Sequence, residues 1–254
     1  MNNLDNFLNH LEDDLSWRKQ ELTMLILSHS EVNAFILNKS LILMIYSHWE
    51  GYIKNSCKQY LLYVSQKKIQ TNLLTSNFKA IMVKGHVNEV INSNNTLTLG
   101  NEISLLDKIN GNMYKKFNIP KSILSEKDKT FINTHDNLNY KTLKSFCEIV
   151  GIGSVDFIES KEKYINETLL AQRNAISHGN KIDPESVAFN LNRDNILRLR
   201  DLIFLIMDHI KDELSIFAEN EFYLQKNEDE KLIHINLVSN NITKKLNNSF
   251  PPEE

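Results

Sequence analysis

The chain has 254 residues and a net charge of -3; its 41% of hydrophobic residues can build a substantial core, and its charge excludes a protein that coats polyanions over its whole surface. Only 7 Gly and 4 Pro interrupt it, too few for a strand-rich or loop-rich fold, so helices are favoured throughout. Cys57 and Cys147 sit inside apolar helical patterns and read as buried thiols, the longest apolar runs are six residues (Leu41 to Tyr46 and Leu202 to Met207), and the start lacks a secretory signature; a cytoplasmic protein with no membrane segment is expected.

In chain order, Leu4, Phe7, Leu8, Leu11, Leu15, Leu22, Leu25 and Ile26 recur at helical spacing and predict a helix from 3 to about 30. A second runs from 31 or 33 to 63, with Ile42, Ile45, Trp49, Tyr52, Ile53, Tyr60 and Val64 along one seam. Apolar on more than one side, it belongs in the centre or at a subunit interface. From about 70 to 135 the pattern weakens into an insertion with helices near 76–92 and 101–110 and a strand stub at Thr96–Leu99. Lys67, Lys68, Lys79, Lys84, Lys115, Lys116 and Lys121 there either meet phosphates or form a solvated face.

Residues 138–150 predict a short helix with Asn137 as its cap, turned by Gly151-Ile152-Gly153 into a helix over 156–178. Arg193 to about Glu219 predicts the last long helix, striped by Ile196, Leu199, Ile203, Ile206, Ile210, Leu214 and Phe217. The whole is read as all-α: one domain over 1–222 in which four long helices enclose the core, then a polar tail over 223–254. In that tail Leu232–Val238 alternates enough for one short strand, paired with another chain or with a piece of this one, or else a loosely held terminus.

The 156–178 helix ends in Arg173-Asn174-Ala175-Ile176-Ser177-His178, followed by Gly179. At about 100° per residue, Ile165, Leu169, Gln172 and Ile176 form an inward stripe, and Arg173, Asn174, Ser177 and His178 gather on the opposite side. Leu170 falls among those polar groups, which predicts that this face meets a second copy of the helix. Gly179 supplies the left-handed residue that ends a helix, with Asn180, Asp183 and Pro184 continuing the stop, and places His178 in the last turn, where the helix dipole favours an imidazolium.

This hexapeptide resembles the Arg-X4-His motif of the HEPN superfamily, small all-α domains many of which are metal-independent endoribonucleases, and the Asn after the Arg matches its common form. The segment from Asn137-Leu138-Asn139-Tyr140 through Phe146 to Ile152 resembles the stretch before the motif helix in the toxin- and phage-defence-associated branch. The likeness spans residues 1 to about 70 and about 130 to 220. It implies a HEPN-like helical bundle, an RNA substrate, no cofactor, and a homodimer whose facing motifs share one cleft, with control by an antitoxin or other regulatory protein. Carried onto this chain, Arg173, Asn174 and His178 are the catalytic candidates, Ser177, His48 and Lys181 RNA-binding or supporting groups, and Leu170 an interface residue.

These side chains suit the chemistry. Metal-free RNA cleavage needs a base for the 2′-hydroxyl proton, an acid for the departing 5′-oxygen and positive charge beside the phosphate. An imidazole and a planar guanidinium provide them. His48 either supports the cleft or fills a core boundary beside Trp49. His10, His29, His86, His135, His209 and His234 lack metal-ligand spacing, so no zinc site is expected. Ser177 and His178 point about 100° apart and make no hydrolase pair. Glu50 and Glu167 stand singly, which does not make a two-metal nuclease, and no Gly-rich phosphate loop occurs. Two other readings compete: a non-catalytic helical dimer that binds a protein or nucleotide partner in a defence system, and a DNA-associated accessory subunit, although no helix-turn-helix spacing supports the last.

Overall fold

Long amphipathic repeats and few breakers give eight helices among the described residues, which in the computed structural model are 3–28, 34–91, 99–135, 137–153, 155–181 and 192–251. Helices α1 (Asn3–Leu27) and α2 (Ala34–Gln66) form the first pair. On α1 the buried residues Phe7, Leu11, Leu15, Leu22 and Ile26 keep a spacing of four or seven and make one stripe. On α2 burial runs around most of the circumference, as expected for the central helix. Tyr52, Ile53, Tyr60, Leu61 and Val64 are fully enclosed.

Helix α7 (Arg193–Glu219) packs on both. Its first residue donates to the Ile26 carbonyl at the end of α1 (3.4 Å), and near its own end the Ala218 carbonyl accepts from the Tyr63 hydroxyl (3.4 Å). These two contacts fix α7 parallel to α2 and antiparallel to α1. Asn192 caps α7 through the Asn195 amide (2.8 Å). The Asp183-Pro184 stop lies outside the described residues.

The insertion holds α3 (Ser76–Ile91), close to the expected bounds, and α4 (Gly100–Met113), which runs three residues past the expected end at 110. Thr96, Leu97 and Thr98 lie outside the described residues, and Leu99 is a turn leading into α4. Phe78 and Phe117 meet edge to face, centroids 5.2 Å apart, and anchor the insertion in the main core. α5 (Tyr140–Val150) is capped by Asn139, whose Oδ1 accepts from the Thr142 amide at 2.9 Å, and not by Asn137 as expected. It closes on Gly151, which adopts φ +80°.

The tail corrects the strand expected at Leu232–Val238. Residues Glu228–Ser249 form α8. Glu228, Asp229 and Glu230 favour the N-terminal end of a helix, and Lys231, Ile242 and Leu246 are buried at intervals that only a helix turns to one side. The apolar residues at 233, 235 and 237 do alternate, but those at 232, 235 and 238 also fit a helix, and the helix prevails. The tail is not loosely held either: Leu246 is fully buried, Phe250 is 6% exposed, and the His234 ring reaches the carboxylate of buried Glu213 on α7 (3.0 Å). Leu74 and Leu224 form an isolated antiparallel bridge, and Tyr223 packs edge-on to Tyr63, so insertion, tail and central helix share one core.

Candidate functional site

The motif helix, α6, is built from three continuous pieces: α-helix at Glu162–Ile165, a π turn at Asn166–Ala171 and α-helix again at Gln172–Ser177. A 3₁₀ turn, Asp156–Lys161, leads into it, and its Asp156 accepts from the Tyr140 hydroxyl (3.0 Å) and from Lys144 (2.8 Å) on α5. The end of α6 follows expectation. Gly179 takes φ +70°, its amide reaches the Ile176 carbonyl (3.1 Å), and the Asn180 amide reaches the Ala175 carbonyl (3.0 Å), the paired bonds of a Schellman close.

The π turn changes which side chains face inward. Its i→i+5 bonding advances each residue by less than the α-helical angle, so residues after it lag behind a uniform wheel. Leu170 accordingly joins Leu169 in the core at 7% exposure, and does not sit in the middle of an outward polar face. The expectation that it marks a dimer interface loses its ground. Arg173 and Asn174 are half-buried, and only Ser177, His178 and Lys181 stand exposed.

Arg173 turns back onto the protein. Its guanidinium lies 4.2 Å from the centroid of the Tyr46 ring on α2, and Nη1 donates to Oδ1 of Asn137 (3.1 Å) and of Asn174 (2.7 Å). The Tyr46 hydroxyl in turn accepts the amide of Leu138 (3.0 Å). Burial, seconded by the nearby Glu50 carboxylate, pushes Tyr46 up to about 12 and keeps it neutral. Glu50, one turn along α2 from Tyr46, accepts from the Thr134 hydroxyl and pairs with Lys54 (3.6 Å). Thr134, Asn137 and Leu138 thus belong to one strap, held against α2 at Tyr46 and Glu50, that presents a carboxamide to Arg173.

His178 ends the helix as its C-cap residue, exposed, with its amide bonded to the Asn174 carbonyl (3.0 Å). The Ser177 hydroxyl donates to the same carbonyl (3.0 Å), a local bond within its own helix end. His48 faces away from the motif. Buried at 5% exposure, it lies edge-on to Trp17 (5.3 Å) and 3.1 Å from the Glu21 carboxylate, both on α1, and burial lowers its affinity for a proton. It belongs to the α1–α2 seam, where its Nε2 has contact with Glu21 but no well-angled hydrogen bond.

Sequence reasoning missed Tyr46, Thr134 and the role of Asn137. The available signal was Tyr46 and Glu50 four apart on α2, which places two polar ends on one face. Cys57 and Cys147 are buried free thiols, as expected, and burial pushes Cys57 up to about 12. Among the described residues no three His, Cys, Asp or Glu side chains converge as a metal centre, and no helix is long and apolar enough to cross a membrane.

An all-α bundle closed by a helix that carries Arg-Asn-X3-His at its end is the architecture of a HEPN domain. More narrowly, the RiboL-PSP-HEPN family model matches residues 13–216, and the chain belongs to that family. The match ends within α7, so α8 lies beyond it. No curated protein and no solved structure matches the chain.

Proposed function

We propose that this protein is a metal-independent endoribonuclease that cleaves single-stranded RNA by 2′-hydroxyl attack and serves as a toxin or defence effector. The observation that carries the reading is the Arg173 guanidinium, oriented by Tyr46, Asn137 and Asn174, on the same helix end as an exposed His178. An imidazole takes the 2′-hydroxyl proton; O2′ attacks phosphorus, the bond to O5′ breaks, and a protonated imidazole returns a proton to O5′. The products are a 2′,3′-cyclic phosphate and a 5′-hydroxyl. Arg173 neutralises the charge that builds on the phosphate, and Asn174 fixes its direction.

Two imidazoles are needed for base and acid, and one chain places one His in the motif. Arg173 and His178 are five residues apart, about 140° around the helix, so a single copy also separates its guanidinium from its imidazole. A two-fold dimer, with His178 of the partner subunit across the cleft, supplies what one copy lacks. Its cytoplasmic setting and an inhibitory partner protein complete the proposal.

The test is cleavage of a single-stranded RNA in EDTA with analysis of the ends. Wild type leaves 2′,3′-cyclic phosphate, and His178→Ala stays folded and inactive; a His178→Ala protein that cuts like wild type overturns the assignment. A second reading, the non-catalytic dimer that binds a partner, draws on Arg173 being engaged by three groups of its own chain. It predicts that Arg173→Ala lowers stability while the wild-type protein itself cuts no RNA.

A further inference from the structure

A groove of about 450 Å³ opens between α3, the chain from Lys129 to His135 and α5. Lys84, Lys129, Lys141 and His135 line it together with Phe131, and the described residues that line it include no carboxylate, although that of Asp128 stands against the Thr130 amide. In a chain of net charge -3 this is a local concentration of cations. Lys84, Lys129 and Lys141 are exposed, and Phe131 is half-buried at the groove wall. The Lys84 ammonium sits 5.3 Å from that ring centroid and donates to the Thr130 carbonyl (2.6 Å).

The wall is built at a cost. Lys58, 4% exposed, spends its ammonium on the backbone carbonyls of Ser125 (2.9 Å) and Asp128 (2.8 Å), and burial pushes its pKa down. The Asp128 carboxylate turns the chain through the Thr130 amide (3.0 Å). His135 holds φ +51°, a conformation disfavoured for a side chain with a Cβ, secured by its amide on Asn133 Oδ1 (2.9 Å). These devices fix where the cations and the ring stand.

We propose that this groove carries the single-stranded RNA substrate beside the scissile linkage, with Lys84, Lys129, Lys141 and His135 against phosphates and Phe131 under an unpaired base. The assignment rests on the ribonuclease reading. Continuity supports it: His135 lines the groove, Thr134 is bonded to Glu50, and Asn137 holds Arg173, so the groove's His135 and the carboxamide that holds the motif's Arg173 are two residues apart, at most about 7 Å of chain. Backbone cations with an interleaved aromatic face are what an unpaired strand requires, since its bases are free to stack.

The test uses the full-length His178→Ala protein, a labelled single-stranded RNA oligomer and fluorescence anisotropy over a range of salt. Adding Lys129→Ala and Lys141→Ala weakens binding about tenfold and reduces the slope of log affinity against log salt by about 1.4, or roughly 0.7 for each phosphate contact. Adding Phe131→Leu instead weakens binding about tenfold and leaves that slope unchanged. Thermal unfolding checks that the exposed lysine changes leave the fold intact. Equal affinity and equal slope in the lysine variant overturn the groove. If the otherwise wild-type chain also cuts RNA equally well with and without both lysines, the groove falls and the ribonuclease reading stands. RNA held through both lysines but never cut by the wild-type chain retires the ribonuclease reading and leaves the binding groove.

Discussion

Tyr46 joins the motif helix to the strap over 134–138, and two substitutions separate its two roles. Tyr46→Phe keeps the ring beneath Arg173 but removes the oxygen that accepts the Leu138 amide. Leu138 is 0% exposed, so that amide is left without water or acceptor, a loss of about 1–3 kcal/mol. For a chain of this size the midpoint of thermal unfolding falls by roughly 2–4 °C for each kcal/mol. Tyr46→Leu removes the ring as well, and with it a guanidinium–ring attraction of about 0.5–2 kcal/mol together with packing volume. The expected order of stability in urea is therefore wild type, then Phe, then Leu. RNA cleavage should fall about tenfold to a hundredfold in Tyr46→Phe, because Asn137 adjoins Leu138 and its slackening misplaces the guanidinium. A Tyr46→Phe protein with unaltered stability would show that the Leu138 amide does not depend on Tyr46. A Tyr46→Leu protein no weaker than Tyr46→Phe would show that the ring does not hold Arg173.

Gly151→Ala should lower the unfolding midpoint by roughly 2–8 °C from the backbone alone, since φ +80° costs a Cβ about 1–2 kcal/mol, and by more because that Cβ would stand 2.7 Å from the Asn77 amide that bonds the Ile149 carbonyl. Burial, with lesser contributions from His234 and Lys245, lowers His209 from 6.5 to about 4, so below pH 6.5 the unfolded chain takes up a proton that the folded one refuses and stability is lost as pH falls. Urea unfolding at pH 7.5 and pH 5 should show a loss of about 2 kcal/mol for wild type relative to His209→Gln, and parallel pH dependences would refute the assignment. Glu213 is raised by burial and gains stability in the acid direction, so the difference between the two proteins, and not either curve alone, isolates His209. Leu246→Ala should cost about 2–5 kcal/mol by leaving a cavity under α8, whereas a loosely held tail would register nothing.

The long helices were legible because their apolar spacing is long and uninterrupted, and the ends of α5 and α6 because Gly151 and Gly179 answer a backbone requirement that few other residues meet. What could not be read depends on contacts distant in sequence. Asn137 and Asn139 are equally good caps by composition; only Arg173, 36 residues away, decides that Asn137 serves another purpose. The π turn has no signature of its own in Asn166–Ala171, and a wheel drawn at a constant angle put Leu170 on the wrong side of the helix. In the tail, the run from Leu232 to Val238 has apolar residues at both helical and alternate positions, and burial of Ile242 and Leu246 further on resolves it.

The same π turn bears on how the motif works. By letting the chain lag before Arg173, it sends the guanidinium to α2 and the strap, where its direction is fixed by a ring and two carboxamides before any substrate arrives. The remaining turn and a half carries the helix on to His178, which projects into solvent at the C-cap with no such constraint. Under the proposed ribonuclease reading, clamp and proton carrier are made by one helix in two environments. A group that must meet a phosphate gains from being pre-oriented, since reorganisation during the reaction is avoided. A group that must give and take a proton has to stay open to the substrate and, in a two-copy cleft, to the neighbouring chain. The division explains why Arg173 should be sensitive to changes in stability and His178 should not, and why two residues so close in sequence report on different properties of the protein.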